Sequence, residues 1–177
     1  KLELYSKNEF EKSIDFTLNK KNILVTFHPV TLEKSTAKEQ FQELLNSIDE
    51  LRDTNIIFTK SNSDTDGRII NQMINEYISN NNTISFDSMG QLRYLSALQF
   101  VDAVVGNSSS GLIEAPSFGI GTINIGDRQK GRINCESVLN CKPTKESINN
   151  AFIELYSERF QNILGGVINP YGNGGTS

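Results

Sequence analysis

The stretch DAVVGNSSSGLIEA, residues 102–115, joins a short apolar run to a row of three serines and then to a second apolar run. The first run is brief and unbroken, which is typical of a strand covered on both faces. The second run begins with Leu112 and Ile113 and carries a single acid, Glu114. A strand that leads directly into a helix is the repeating unit of α/β proteins, so this stretch predicts that fold class.

Strand and helix patterns alternate along the rest of the chain. Short apolar segments predict strands, and apolar stripes with a period near 3.6 residues predict the helices between them. The predicted strands are Ile23 to Phe27, Asn55 to Thr59, Thr83 to Phe86, Asp102 to Gly106, Gly121 to Ile125 and Ser137 to Leu139. This alternation predicts a parallel, doubly wound, Rossmann-like sheet.

Capping residues predict where three of the helices begin. Thr36 and Glu39 match a capping box, Asp66 can cap the next helix, and Thr144 can cap the last one. Shorter helices are expected around Leu92 to Phe100 and from the serine row to Phe118. The stripe expected to face the core in the helix after Asp66 is Ile69, Ile70, Met73, Ile74 and Tyr77.

Composition narrows the class of protein. The chain has 177 residues, enough for one domain with a sizeable core, and its net charge is −4. It offers no basic face for nucleic acid or an anionic membrane, and no apolar run approaches the length of a membrane helix. We therefore expect a soluble, cytoplasmic protein with no metal and no cofactor. Any anionic ligand must be held by local donors.

The domain organisation follows from the same patterns. We expect residues 1–21 to form an N-terminal helix or linker, residues 22–160 to form the Rossmann-like domain, and residues 161–177 to form a C-terminal tail. The chain opens without a methionine and closes on a glycine-rich segment, so we expect it to be part of a longer protein.

The serine row lies where ligands of such sheets bind, beyond the carboxyl end of a strand. Ser108, Ser109 and Ser110 combine hydroxyl donors with the N–H groups of a helix start, which predicts a phosphate or pyrophosphate site. The alternative is that the serines only cap a buried helix. Glu114 can accept two ribose hydroxyls, or it can simply stabilise the dipole of the first helical turn.

Other loops at the same edge carry further candidates. His28, the only histidine, follows the first strand and can donate to a phosphate or move a proton, although a single histidine is often structural. Asn62 lies in a loop whose composition is also that of an ordinary turn. Arg128 can clamp a phosphate or ribose, while Lys130 and Arg132 beside it can be merely solvated.

Four segments, FHPVT, SDTDGR, GNSSSGLIEAPSFG and INIGDRQKGR, occur in this order. Together they resemble the hydrolysing UDP-N-acetylglucosamine 2-epimerases, with the greatest similarity to the sialic-acid-pathway branch. The resemblance runs from about Asn22 to Tyr171. It implies a GT-B-like enzyme of two Rossmann-like domains, of which this chain is the C-terminal half.

The resemblance also implies which residues contact the nucleotide. Ser108 and Ser109, with the start of the following helix, would bind the diphosphate of UDP, and Glu114 would bind the ribose. Asn62 and the backbone near Phe86 would approach the uracil. The full set of expected UDP-contacting residues is His28, Asn62, Phe86, Ser108, Ser109, Ser110, Glu114 and Arg128.

The implied reaction is elimination of UDP from UDP-N-acetylglucosamine to give 2-acetamidoglucal, followed by hydration to N-acetylmannosamine. His28 is the implied catalytic residue of this half, and the remaining acids and bases are expected in an N-terminal domain absent from this sequence. That domain and, in the full-length protein, a second copy of the chain are the expected partners. Two alternatives stay open: the nucleotide-binding domain of a retaining GT-B glycosyltransferase, and a non-catalytic sugar-nucleotide sensor.

Overall fold

The computed structural model describes residues 2–29, 37–60, 65–78, 82–127, 129, 131 and 135–167. Within these residues the strands are β1 (Lys21–Thr26), β2 (Thr54–Thr59), β3 (Thr83–Phe86), β4 (Ala103–Gly106), β5 (Gly121–Ile125) and β6 (Val138–Cys141). The helices are α1 (Lys7–Ile14), α2 (Ala37–Ile48), α3 (Thr65–Tyr77), α4 (Gly90–Ala97), α5 (Ser110–Ile113), α6 (Lys145–Leu155) and α7 (Glu158–Leu164). A 3₁₀ helix, Ala115–Phe118, follows α5.

The strands form one sheet in the order β3-β2-β1-β4-β5-β6, and every neighbouring pair is parallel. The predicted doubly wound α/β fold is therefore confirmed. From β1 the chain builds outward to β2 and β3 on one side, and from β4 it builds outward on the other. The carboxyl ends of β1 and β4 thus flank the switch point, where doubly wound sheets open a crevice for ligands.

Two apolar layers cover the sheet. One contains Phe41 of α2 and Phe160 of α7, together with residues from α3 and α6. The other contains Phe10 of α1 and residues from α4. Successive residues of β1 alternate between these layers, since Ile23 belongs to the first and Leu24 to the second. Because both faces of the central strands are buried, β1 and β4 carry the unbroken apolar runs 23–25 and 103–105 that the sequence shows.

The predicted strand bounds agree with the structure to within two residues. The predicted cap of α6 is confirmed, because the Thr144 hydroxyl accepts a hydrogen bond from the N–H of Ser147 at 3.3 Å. α4 begins two residues before its predicted start and ends three residues before its predicted end. The predicted cap at Thr36 lies outside the described residues. α7 was not predicted from the sequence.

Two predictions for α3 are wrong. The helix spans Thr65–Tyr77, so position 66 lies within it and not at the position before its first residue, where a cap would stand. Ile69 is 36% exposed, whereas Ile70 and Ile74 are buried. At ~100° per residue, Ile69 lies on the edge of the apolar stripe, ~90° from the centre of the other four residues, where the core no longer covers it.

Gly106, the last residue of β4, brings that strand unusually close to β1. Its φ is +139°, and a Cβ added there would lie 1.9 Å from the backbone oxygen of Thr26. The same oxygen accepts a hydrogen bond from the N–H of Asn107 at 3.2 Å. A side chain at position 106 would therefore force the two strands apart at the switch point.

We predict that Gly106→Ala lowers the free energy of unfolding by at least ~3 kcal/mol, because a backbone clash adds to an unfavourable φ. Gly90→Ala is the control, since φ there is +75° but nothing lies within 4 Å of an added Cβ. It should cost only ~1–2 kcal/mol. Urea unfolding of both variants measures the difference, and equal losses would contradict the role given to the close approach.

Candidate functional site

A cleft of about 420 Å³ opens at the carboxyl edge of the sheet. Its walls come from the ends of β1 and β2, from α4 and the segment before it, and from the segment and short helix that follow β4. The lining residues are Thr26, Thr59, Asp87, Ser88, Met89, Gly90, Gln91, Tyr94, Leu95, Ser108, Ser110 and Glu114. The volume is in the range of small-molecule sites, and its position is the one where doubly wound folds bind ligands.

The serine row forms a connected set of hydroxyls in this cleft. The Oγ atoms of Ser108 and Ser110 lie 3.2 Å apart, and the N–H of Ser110 donates to Ser108 Oγ at 3.3 Å. The Tyr94 hydroxyl is hydrogen-bonded to Ser110 Oγ. Ser109 is the N-cap residue of α5, but its side chain makes no capping hydrogen bond. The simple capping role is therefore not the one that Ser109 performs.

Glu114 is a half-buried acid in the wall of the same cleft. Burial raises the pKa of its carboxyl above the ordinary value. Burial raises the pKa of Tyr94 to about 12. The hydrogen bond to Ser110 opposes this rise, and the charge of Glu114 adds to it. Tyr94 therefore keeps its proton at neutral pH, and the cleft wall combines neutral hydroxyls with one poorly solvated carboxyl group.

The floor and rim of the cleft add further polar groups. The Oγ1 atoms of Thr26 and Thr59 lie 2.5 Å apart across the ends of β1 and β2. At the rim, Lys60 Nζ lies 3.4 Å from Asp87 Oδ1, with the aspartate side chain 91% exposed. Because the aspartate is almost fully exposed, this ion pair adds little stability, but it places a cation beside the cleft. The Lys60 N–H donates to the carbonyl oxygen of Phe86 at 2.8 Å, which joins the ends of β2 and β3.

The structure brings three of the predicted site residues together. Ser108, Ser110 and Glu114 all line the cleft, whereas Ser109 is not among its lining residues. Phe86 is the last residue of β3 and packs against the second apolar layer. Its side chain does not line the cleft, but the segment that begins directly after it does.

His28 lies just after β1 at the same edge of the sheet. It is not a lining residue of the cleft, and its backbone N–H donates to the side-chain oxygen of Asn107 at 2.7 Å. Asn107 directly precedes Ser108, so the backbone of His28 is held next to the serine row. Asn62 and Arg128 lie outside the described residues.

Several polar groups of the cleft were not predicted from the sequence. Thr26 and Thr59 are the last residues of their strands, and the carboxyl-edge rule applied residue by residue would have identified them. Tyr94 lies inside α4, and its contact with Ser110 depends on how that helix packs. No local pattern in the sequence indicates this contact.

The sequence model of the UDP-N-acetylglucosamine 2-epimerase family matches residues 2–177 of this chain. The chain belongs to this family. It is 36% identical over 158 residues to a GDP/UDP-N,N'-diacetylbacillosamine 2-epimerase (hydrolyzing) of Campylobacter jejuni, covering 88% of this chain and 41% of that protein. It is 35% identical over 172 residues to the polysialic acid biosynthesis protein P7 of Escherichia coli, covering 96% and 44% respectively. This member of the epimerase family thus spans less than half the length of these curated relatives.

Solved structures agree with the assignment of the fold. The complex of Staphylococcus aureus MnaA with UDP superposes with a TM-score of 0.72 at 21% identity, covering 96% of this chain and 44% of that one. Structures of the same fold include both epimerases and glycosyltransferases. This epimerase-family chain therefore shares the Rossmann-like α/β fold of these structures.

Two further observations concern the described part of this epimerase-family chain. None of its helices there has the length and apolar character needed to cross a membrane. Among the same residues, no three or more histidine, cysteine, aspartate and glutamate side chains are grouped so that they could hold a metal ion.

Proposed function

We propose that this chain is the UDP-binding C-terminal domain of a hydrolysing UDP-N-acetylglucosamine 2-epimerase. The observation that carries the proposal is that Ser108, Ser110 and Glu114 line one cleft at the switch point of a doubly wound sheet. This combines hydroxyl donors for a diphosphate with an acceptor for ribose. Support comes from the family and from a structure of the same fold that contains UDP.

The diphosphate would lie against the serine row. With a net charge of −4, the chain offers no general attraction for an anion, so the local donors must hold it. Tyr94 stays protonated and can donate to Ser110 Oγ, which leaves the hydrogen of the Ser110 hydroxyl for another acceptor. Ser108 and Ser109 would contribute the other hydroxyls. Hydrogen bonds of this kind to a charged acceptor are about twice as strong as those between neutral groups.

The nucleoside would extend from the diphosphate along the cleft. The carboxyl of Glu114 would accept hydrogen bonds from two ribose hydroxyls, which would compensate for its partial burial. The uracil would approach the backbone after Phe86, where Asp87 and its neighbours line the wall. Asn62 would contact the uracil end, and Arg128 would lie beside the nucleotide.

The proposed reaction needs groups on both sides of the sugar. A base removes the proton from C2 while the C1–O bond to UDP breaks, which forms the C1=C2 double bond of 2-acetamidoglucal. Water then adds its hydroxyl at C1 and a proton at C2 from the opposite face, which gives N-acetylmannosamine. His28 would be the catalytic residue of this domain, and carboxylates of the N-terminal domain would supply the other acids and bases.

The proposed substrate is UDP-N-acetylglucosamine, and the product would enter sialic acid or surface polysaccharide biosynthesis in the cytoplasm. The similarity to the polysialic acid biosynthesis protein supports this pathway. A second candidate substrate is UDP-N,N'-diacetylbacillosamine, which the 36% identity to the Campylobacter protein favours. Both substrates present the same UDP group to this domain. They differ only in the sugar. In the full-length protein, a second copy of the chain would be a partner.

Replacing Glu114 tests the proposed binding mode. We expect Glu114→Ala to weaken UDP binding by ~10-fold or more, since a hydrogen-bonded ionic contact contributes ~1.5–3 kcal/mol, and to leave pyrophosphate binding within ~3-fold. Ser108→Ala is the matched control, because it should weaken both ligands by similar factors. Calorimetric titration gives both affinities. Equal losses of UDP and pyrophosphate in Glu114→Ala would rule out the ribose contact.

Turnover by the full-length protein tests the proposed activity. Without any acceptor, it should convert UDP-N-acetylglucosamine to free UDP and N-acetylmannosamine, and His28→Asn should lower kcat by ~100-fold or more. Parallel assays with UDP-N,N'-diacetylbacillosamine decide between the two substrates. Sugar transfer to an acceptor would favour the glycosyltransferase alternative, and nucleotide binding without turnover would favour the sensor.

A further inference from the structure

Asn107 is a buried polar residue for which the proposed function gives no role. Only 1% of its surface is exposed. Its side-chain Oδ1 accepts a hydrogen bond from the N–H of His28 at 2.7 Å, and its Nδ2 donates to the carbonyl oxygen of His28 at 2.8 Å. One side-chain amide therefore pairs with both backbone groups of one residue, 79 positions away in the chain.

This pairing continues the contact between β1 and β4 past the ends of both strands. Thr26 and Gly106 are the last residues in register, and the N–H of Asn107 donates to the carbonyl oxygen of Thr26. The side-chain amide then reaches His28, two residues further along. Only an amide supplies a donor and an acceptor side by side at this reach, so no other side chain of similar size can make both hydrogen bonds.

The same residue also connects to the loop after β5. Gln129, which is 7% exposed, donates from Nε2 to the carbonyl oxygen of Asn107 at 3.0 Å. The backbone of Asn107 is thus held by β1 and by the β5 loop independently of its side chain. A change in the side chain therefore removes both hydrogen bonds to the His28 backbone and leaves these two backbone contacts of Asn107 in place.

We propose that Asn107 is a positioning residue for the reaction, because its side-chain amide holds the backbone of His28 beside the serine row. It thereby sets where the imidazole meets the bound sugar nucleotide. This inference rests on the proposed function, in which His28 is catalytic. It predicts a defect in turnover that is distinct from a defect in UDP binding, because Ser108, Ser110 and Glu114 remain in place.

A matched control exists at the opposite end of β1. There the N–H of Asn19 donates to Asn22 Oδ1 at 2.9 Å, and Asn22 Nδ2 donates to the Asn19 carbonyl oxygen at 3.1 Å. Asn22 is 4% exposed, and it lies six residues, roughly 20 Å, from His28 along an extended chain. Asn22→Leu removes a similar pair of partly buried amide-to-backbone hydrogen bonds, but far from the cleft.

The experiment compares these variants in the full-length protein. Asn107→Leu should lower kcat by ~100-fold, Asn107→Asp by less, because it keeps the acceptor for the His28 N–H, and Asn22→Leu by less than ~3-fold. The Kd for UDP should stay within ~3-fold in all three. If Asn107→Leu does not fold, Asn107→Asp, which has the same shape as asparagine, carries the test. A variant of Asn107 that loses UDP binding and kcat equally, or that matches Asn22→Leu, overturns the proposal.

A double-mutant cycle separates this inference from the proposed function. If Asn107 acts through His28, adding Asn107→Leu to His28→Asn should lower kcat by no more than a further ~3-fold. If the two single losses in kcat multiply in the double variant, the positioning role is overturned. If the unmutated protein does not release UDP, the proposed function itself fails. If His28→Asn is fully active, the catalytic role of His28 fails and this inference fails with it. Both results differ from every outcome of the cycle.

Discussion

β4 can lie against β1 at the switch point only because residue 106 has no side chain. The Thr26 carbonyl oxygen occupies the space that a Cβ of Gly106 would need, and the N–H of Asn107 bonds to that same oxygen. Close-packed interiors leave little room to adjust such a contact. This contact therefore fixes the segment after β4 relative to the end of β1. That segment includes the serine row and Glu114.

This constraint places unlike polar groups around one cleft. Hydroxyls from Ser108 and Ser110, the protonated phenol of Tyr94 and the half-buried carboxyl of Glu114 reach it from two different connections of the sheet. Hydroxyl donors can hydrogen-bond to a phosphate. Burial raises the pKa of Glu114 by disfavouring its charged form, and hydroxyl donors such as those of a ribose would stabilise that form. The chain is acidic overall, so these short-range contacts, and not its total charge, would select the nucleotide.

The fold was predictable because its central strands are buried on both faces, which makes runs such as 23–25 and 103–105 apolar and easily recognised. Ser108, Ser110 and Glu114 were predictable because the carboxyl-edge rule depends only on the order of elements. Tyr94 was not, since its contact with Ser110 depends on the packing of α4. Asn107 lies within the stretch 102–115, yet its partner His28 is 79 residues away. Local sequence patterns carry no information about such distant pairs.

The central claim is that nucleotide binds where β1 and β4 end. The most direct measurement is an NMR titration of this chain with UDP, in which the shift of each backbone amide is followed. The largest changes should fall on residues 108–114, with smaller changes at Thr26 and Thr59. Changes concentrated at the opposite edge of the sheet, around Lys21, Asp102 and Tyr156, would contradict the account.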